Sequence, residues 1–255
     1  MGFQREVLVS VIMPAYHCLP FIDGAIESVL AQDVPLELIV IDDCSGEPLK
    51  EHMEKYRQDP RIVFVQNEKN MGAAASRNRG VSLARGKYTA FLDADDIWRP
   101  NKLIRQLERM ESEGTVICST ARELMQPDGT LSGYVIPVKE SFSYGDVCRQ
   151  NILNCSSVVL LTEVAKAFPM HHDDGHEDYL MWLEILRKYR RGCAVNEPLL
   201  LYRVSSSGKS GSKLHSATMT FKTYKYMGFG LFRSCFYFVC YIFGGIKKYF
   251  RWFVK

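Results

Sequence analysis

A chain of 255 residues, 47% apolar and 24% charged, has the composition of an ordinary globular protein, with enough apolar material for one large domain or a domain plus an appendage. Composition therefore excludes a chain too polar to build a core. The net charge of +3 hides an asymmetry: ten of the 32 Lys and Arg, and none of the 29 Asp and Glu, lie beyond residue 197. Residues 1–197 thus carry −7 and the remainder +10, which implies two parts with different partners.

The eight cysteines include no C-x-x-C pair, and the N-terminus runs into a strand-like stretch without a basic and apolar leader. A cytosolic chain with reduced thiols is expected. In chain order, residues 6–16 form an apolar, β-branched run of buried-strand length, and residues 19–32 place apolar side chains at helical spacing. Strands follow at 35–43, 61–67 and 87–96, separated by helices at 49–58 and 73–84, with a further helix at 101–110. Strands apolar on both faces that alternate with helices predict an α/β fold, a Rossmann-like, mostly parallel sheet flanked by helices. Between about 111 and 160 the pattern is irregular, and an amphipathic helix at 177–189 and a strand at 197–204 close the body.

In such sheets ligands collect beyond the carboxyl ends of the strands, and there the polar residues gather: Pro14-Ala15-Tyr16, Asp42-Asp43, 67–70 and 93–96. "FLDADD" packs Asp93, Asp95 and Asp96 into four positions, where like charges raise one another's pKa and invite a cation. A magnesium or manganese ion shared between one or two carboxylates and a substrate's phosphates fits such a cluster. The turn after the first strand, "PAYHCLPF", carries neither the G-x-G-x-x-G of a dinucleotide dehydrogenase nor the G-x-x-x-x-G-K of a P-loop enzyme.

Six blocks, "VSVIMPAYH", "LIVIDDCS", "NMGAAASRNRG", "GKYTAFLDADDIWRPNKL", "GHEDYLMWL" and "PLLLYRVSSSGKS", resemble in order the motifs of the family 2 inverting glycosyltransferases, which have the GT-A fold. The resemblance spans about residues 9–210. It implies that Pro14, Ala15, Tyr16 and Asp43 surround a nucleotide, with Asp93 nearer its ribose. Arg77 would lie by the diphosphate, Asp93 and Asp95 would hold Mn2+ or Mg2+, with Asp95 the principal ligand, and Asp178 would be the catalytic base. It further implies a nucleotide-sugar donor, UDP-linked by expectation, and an acceptor hydroxyl on a lipid-linked glycan of a bacterial surface polysaccharide. No nucleic acid partner is expected, and the oligomeric state is not read from the sequence. A GT-A domain over 1–210 is expected, with a nucleotide-binding half at about 1–110 and an acceptor half at about 111–210, followed by a helical tail over 211–255.

Where the family usually has Asn and Gly, this chain has His17 and Cys44. It also lacks a His two residues after "YR", leaving Arg203, Lys209 or His215 as candidates to hold phosphate or metal. "HHDDGHED" offers His171, His172 and His176 near acids, but Gly175 opposes the ordered helix that zinc or iron ligation at that spacing needs; a loop gating the acceptor is the simpler reading. In the tail, residues 226–255 are dense in aromatics, yet the charge-free stretch 234–246 is 13 residues, short of the roughly 20 of a spanning helix. An interfacial helix on an anionic membrane, at the cytoplasmic face of the plasma membrane, is expected; packing on the protein's own core is the alternative. Two other functional readings compete with the transferase. One is a non-catalytic scaffold in a polysaccharide assembly complex; the other, a sugar-phosphate nucleotidyltransferase, predicts a Gly-rich, Arg-bearing loop that "PAYHCLPF" lacks.

Overall fold

The computed structural model describes residues 6–204 and 213–253, with side chains in the last helix as far as residue 245; Lys209 lies outside the described residues. The chain opens with β1 (Val9–Ala15), α1 (Ile22–Leu30), β2 (Leu36–Asp42), α2 (Leu49–Met53), β3 (Ile62–Gln66), α3 (Ala73–Leu83) and β4 (Tyr88–Phe91). This is the expected alternation with shorter elements. The helix expected over 49–58 stops at Met53 and continues as a 3-10 turn over Glu54–Tyr56, after which Arg61 folds back onto Asp59 with two side-chain bonds of 3.0 and 2.8 Å. The fourth strand ends at Phe91, not residue 96: the Leu92 amide still reaches Ile12 (3.1 Å), but the Asp93 amide turns to the Ser156 hydroxyl and the Asp96 amide back to the Asp93 carbonyl. That turn fans the three aspartates out of the sheet.

β5 (Ile97–Trp98), α4 (Lys102–Glu113), β6 (Ile117–Met125), β7 (Leu131–Ile136), β8 (Ser141–Ser143), α5 (Tyr144–Arg149), β9 (Val159–Leu161), α6 (Thr162–Ala167), α7 (Glu177–Tyr189) and β10 (Arg191–Arg203) complete the body. The stretch expected to be irregular therefore contains β6, nine residues long and buried throughout. Its sequence, "ICSTARELM", hides this because Thr120, Arg122 and Glu123 are buried polar residues, and Arg99 on the neighbouring segment pairs with Glu123 at 2.5 Å. The last strand is longer than 197–204, reaching back to Arg191 through two register shifts around Pro198.

The strands form a single mixed sheet in the order β3-β2-β1-β4-β9-β6-β10-β5, with β7 added on β6 and β8 on β10. β3-β2-β1-β4 are parallel, as is β6 on β10; β9 is antiparallel to both its neighbours. One apolar layer, with Ile22, Ile26, Leu103, Leu107 and Trp98, seats α1 and α4 on one face; the other, with Val81, Val164, Trp182 and Leu186, seats α3, α6 and α7. Because β1, β2 and β4 run parallel, their carboxyl ends open side by side between these layers. Beyond the body, α8 (Lys213–Tyr226) packs on α7, and a tight turn through Gly228 (φ +74°) leads into α9 (Leu231–Phe253), which packs on α5 and α8.

Candidate active site

The site grows from three strand ends and one helix start. At the end of β1, Ala15 is buried opposite Asp42 in the β1–β2 register, its carbonyl accepts the Asp43 amide (2.9 Å), and Tyr16 projects half-exposed with its ring edge-on to His17 at 4.2 Å. Pro14, Ala15, Tyr16 and Asp43 are thus brought together. His17 (φ +49°) and Cys44 (φ +57°) both lie in the left-handed region, the conformation in which Asn and Gly are least strained. His17 and Cys44 thus adopt a backbone that Asn and Gly accommodate most easily.

Asp43 is buried and fully engaged within the chain: Oδ1 accepts Asn67 Nδ2 (2.7 Å) and the Met71 amide (2.8 Å), and Oδ2 accepts the Gly72 amide (2.8 Å). It ties β2 to the loop over 67–72. Gly72 is required there, since its φ is +84° and an added Cβ would come within 2.9 Å of the Asp173 carboxylate. Asp42 is likewise held, by Gln66 Nε2 at 2.7 Å.

At the end of β4 the three aspartates meet different surroundings. Asp93 is about a third exposed and takes Arg77 Nη2 at 2.6 Å. Asp96 is buried, its Oδ1 accepting the Arg203 amide at 2.9 Å; burial, then Asp95 and Asp93, push its carboxyl well above the ordinary range. Its bond to the Arg203 amide ties the aspartate turn to the end of β10. Between them Asp95 is pushed up to about 6 by burial and then by the Asp93 charge. Among the described residues no neighbouring side chain donates to its carboxylate.

The Arg77 guanidinium is buried and holds two carboxylates, Asp93 at 2.6 Å and Glu177 at 3.2 Å, so it links the aspartate turn to the first residue of α7. Arg203, another phosphate candidate, is also engaged: Nε donates to the Asp95 carbonyl (2.9 Å), Nη1 to the Pro127 carbonyl (2.8 Å), and the group lies 4.5 Å over the Phe21 ring. It fixes the turn that presents Asp95. Sequence reading missed Glu177 as a partner because it stands at a helix start, where acids are common for electrostatic reasons alone.

Asp178 is the second residue of α7 and partly exposed; its Oδ1 accepts the Tyr179 amide at 2.6 Å. Burial, then the adjacent Glu177 charge, raise its pKa against the lowering influence of His176 and Arg77. A carboxylate so placed is a stronger base than one in water. Two buried thiols confirm that these elements converge: Cys155 faces Arg77, Asp93, Asp178 and Glu177 together, and Cys18, pushed up to about 12 chiefly by burial, feels Glu47, Asp42 and Asp95. The histidines of 171–176 do not gather into a ligand set. His172 stacks on Tyr226 and His176 reaches the Ser216 carbonyl.

Five carboxyls (Asp93, Asp95, Asp96, Glu177, Asp178) surround two guanidiniums (Arg77, Arg203), an acidic excess suited to a cation. Among the described residues no three His, Cys, Asp or Glu side chains form a ready metal cage. The donor set, Asp95 with Asp93, therefore fits a hard divalent ion that completes its shell with substrate oxygens, and does not fit a closed structural metal.

Residues 10–157 match the model of the family described as glycosyl transferase family 2. The chain is 36% identical over 220 residues to the putative teichuronic acid biosynthesis glycosyltransferase TuaG of Bacillus subtilis, covering 86% of this chain and 87% of that one. It is 32% identical over 249 residues to the Escherichia coli UDP-Glc:alpha-D-GlcNAc-diphosphoundecaprenol beta-1,3-glucosyltransferase WfgD, covering 96% of each. Among solved structures, S. aureus TarS 1-349 in complex with UDP-GlcNAc superposes with a TM-score of 0.70 at 19% identity, covering 85% of this chain and 65% of that one. That likeness shows the fold, the GT-A arrangement expected from the sequence. A family model matched over more than half of the chain, and relatives above 30% identity matched over nearly all of it, establish that this protein belongs to glycosyl transferase family 2 and is a glycosyltransferase.

Proposed function

We propose that the protein transfers a sugar, with inversion, from a UDP-linked donor to a hydroxyl of a lipid-linked glycan, with Asp178 as base and a divalent cation at Asp95 and Asp93. The single observation that carries this reading is the ion-paired bridge Asp93–Arg77–Glu177, which sets the aspartate turn beside the start of α7 and so supports a cation and a base acting on one cleft. In the proposed reaction the acceptor oxygen attacks the anomeric carbon as its proton passes to the Asp178 carboxylate, and the bond to the diphosphate oxygen breaks on the opposite face. A bound Mn2+ or Mg2+ would neutralise charge on the departing diphosphate. Pro14–Tyr16 and Asp43 would frame the nucleotide, Tyr16 offering the exposed ring and Asp43 the rigid loop. The donor would occupy the half formed by about 1–110, and the acceptor the half formed by about 111–210. A diphosphate-linked acceptor and a UDP sugar are written in the name of the E. coli relative, and both suit this site.

The tail supports a membrane location. α9 turns Ser234, Tyr237 and Tyr241 inward, while Phe232 (93% exposed), Phe236, Val239 and Phe243 (69%) form an outward apolar stripe. Such a stripe on a surface helix, in a segment beyond residue 197 that carries ten basic and no acidic residues, fits an anionic bilayer, each basic residue near its surface adding about 1 kcal/mol. No helix among the described residues is long and apolar enough to cross a membrane, so the chain would lie on it. One experiment addresses both parts: flotation and UDP release with anionic vesicles carrying a polyprenyl-diphosphate-sugar acceptor, a panel of UDP sugars and Mn2+. Co-flotation that weakens with salt, and UDP release abolished by chelator, are expected. Pyrophosphate release, or no turnover of any nucleotide sugar, would defeat the reading.

A further inference from the structure

We infer that helix α8 and the loop over 171–176 form a clasp that positions α7 for the transfer step, which makes Tyr226 a positioning residue of the enzyme. The inference rests on the reading of Asp178 as the base.

The loop "HHDDGH" has no large apolar residue and leads directly into Glu177 and Asp178, so nothing in its own composition would hold it still. What holds it comes mostly from α8. The His172 ring stacks face to face on Tyr226, with centroids 3.7 Å apart and planes 7° from parallel. The Tyr226 hydroxyl donates to the Asp174 carboxylate at 2.9 Å, and Lys222 Nζ reaches the same group at 2.9 Å. The His176 amide donates to Thr223 Oγ1 (3.4 Å), and its Nε2 lies 3.1 Å from the Ser216 carbonyl. His171, 3.9 Å from Glu184, adds one contact within α7's own side.

Two features mark this as a fitted contact rather than chance proximity. His172 has φ +63°, a conformation that L residues rarely adopt, and its carbonyl accepts the Gly175 amide at 2.8 Å. A Cβ on Gly175 would lie 3.5 Å from Thr223 Oγ1 and 3.6 Å from Tyr226 Cε2, so the loop backbone lies directly against α8. The opposite side of the loop faces the nucleotide side of the cleft, where the Asp173 carboxylate closes over Gly72 in the segment that Asp43 secures. α8 grips α7 as well, through Tyr224, whose hydroxyl lies 3.2 Å from that of Tyr179. The helical tail is thus built into the active site, not merely attached to the domain.

The test compares full-length wild type with Tyr226→Ala and Tyr226→Phe by steady-state kinetics and by amide hydrogen exchange over 171–180. Tyr226→Ala is expected to lower kcat about tenfold or more while KM for the nucleotide sugar stays within about twofold, because small displacements of a reacting group cost rate before they cost binding. Exchange should rise over 171–178 in that variant. Tyr226→Phe keeps the stacked ring and should recover most of both properties. A Tyr226→Ala enzyme with wild-type kcat, or unchanged exchange over 171–178, overturns the inference. If the wild type turned over no nucleotide sugar, the reading of Asp178 would fall, while the exchange comparison would still decide whether the clasp exists.

Discussion

Asp178→Asn is expected to lower turnover by about 10²- to 10⁴-fold, the usual contribution of a positioned general base, with donor affinity nearly unchanged. The amide keeps the shape of the carboxylate and can still accept the Tyr179 amide, so the fold should survive and the loss should appear in kcat. Wild-type turnover should also depend on pH in a specific direction. Burial and Glu177 raise the Asp178 pKa, so the base is protonated over more of the acidic range than an ordinary carboxyl. The rate should climb as pH rises through that elevated pKa and level off above it, and Glu177→Gln should move the climb toward lower pH. A D178N enzyme with wild-type kcat in a UDP-release assay would remove Asp178 from the chemistry.

Arg77→Met is expected to produce a large loss of stability, on the order of 3 kcal/mol, since it leaves the buried Glu177 without its counter-charge, while Asp93, about a third exposed, loses less because solvent screens it. For a chain of this size that corresponds to a fall in Tm of roughly 2–4 °C per kcal/mol. Arg77→Lys keeps the charge but not the two-pronged geometry, so an intermediate fall is expected. If Arg77 instead served only a diphosphate, both variants would melt like the wild type without ligand and differ only with nucleotide present. Differential scanning calorimetry without and with UDP separates these outcomes.

The parallel part of the fold was legible because each of its strands is apolar on both faces and ends in polar residues at the same edge, a pattern that β1, β2 and β4 display directly. β6 was not legible, since it buries the polar Thr120, Arg122 and Glu123, Glu123 meeting Arg99 from a neighbouring segment, and no periodicity encodes that. The candidate site divides the same way. Asp93, Asp95 and Asp178 were conspicuous as acids at a strand end and a helix start. The employment of Arg77 was not, because a guanidinium suits a phosphate and a carboxylate equally well, and only the chain's path brings Glu177, 100 positions away, to within 3.2 Å. The aromatic tail looked like a terminal appendage for the same reason: the match between His172 and Tyr226 exists only in three dimensions.

The most direct test of the account is calorimetric titration of UDP into the wild type and into Asp95→Asn, each with Mn2+ and with chelator. The account predicts that Mn2+ tightens UDP binding to the wild type at least tenfold and leaves Asp95→Asn unaffected. Equal Mn2+ enhancement in both proteins, or none in either, would contradict it.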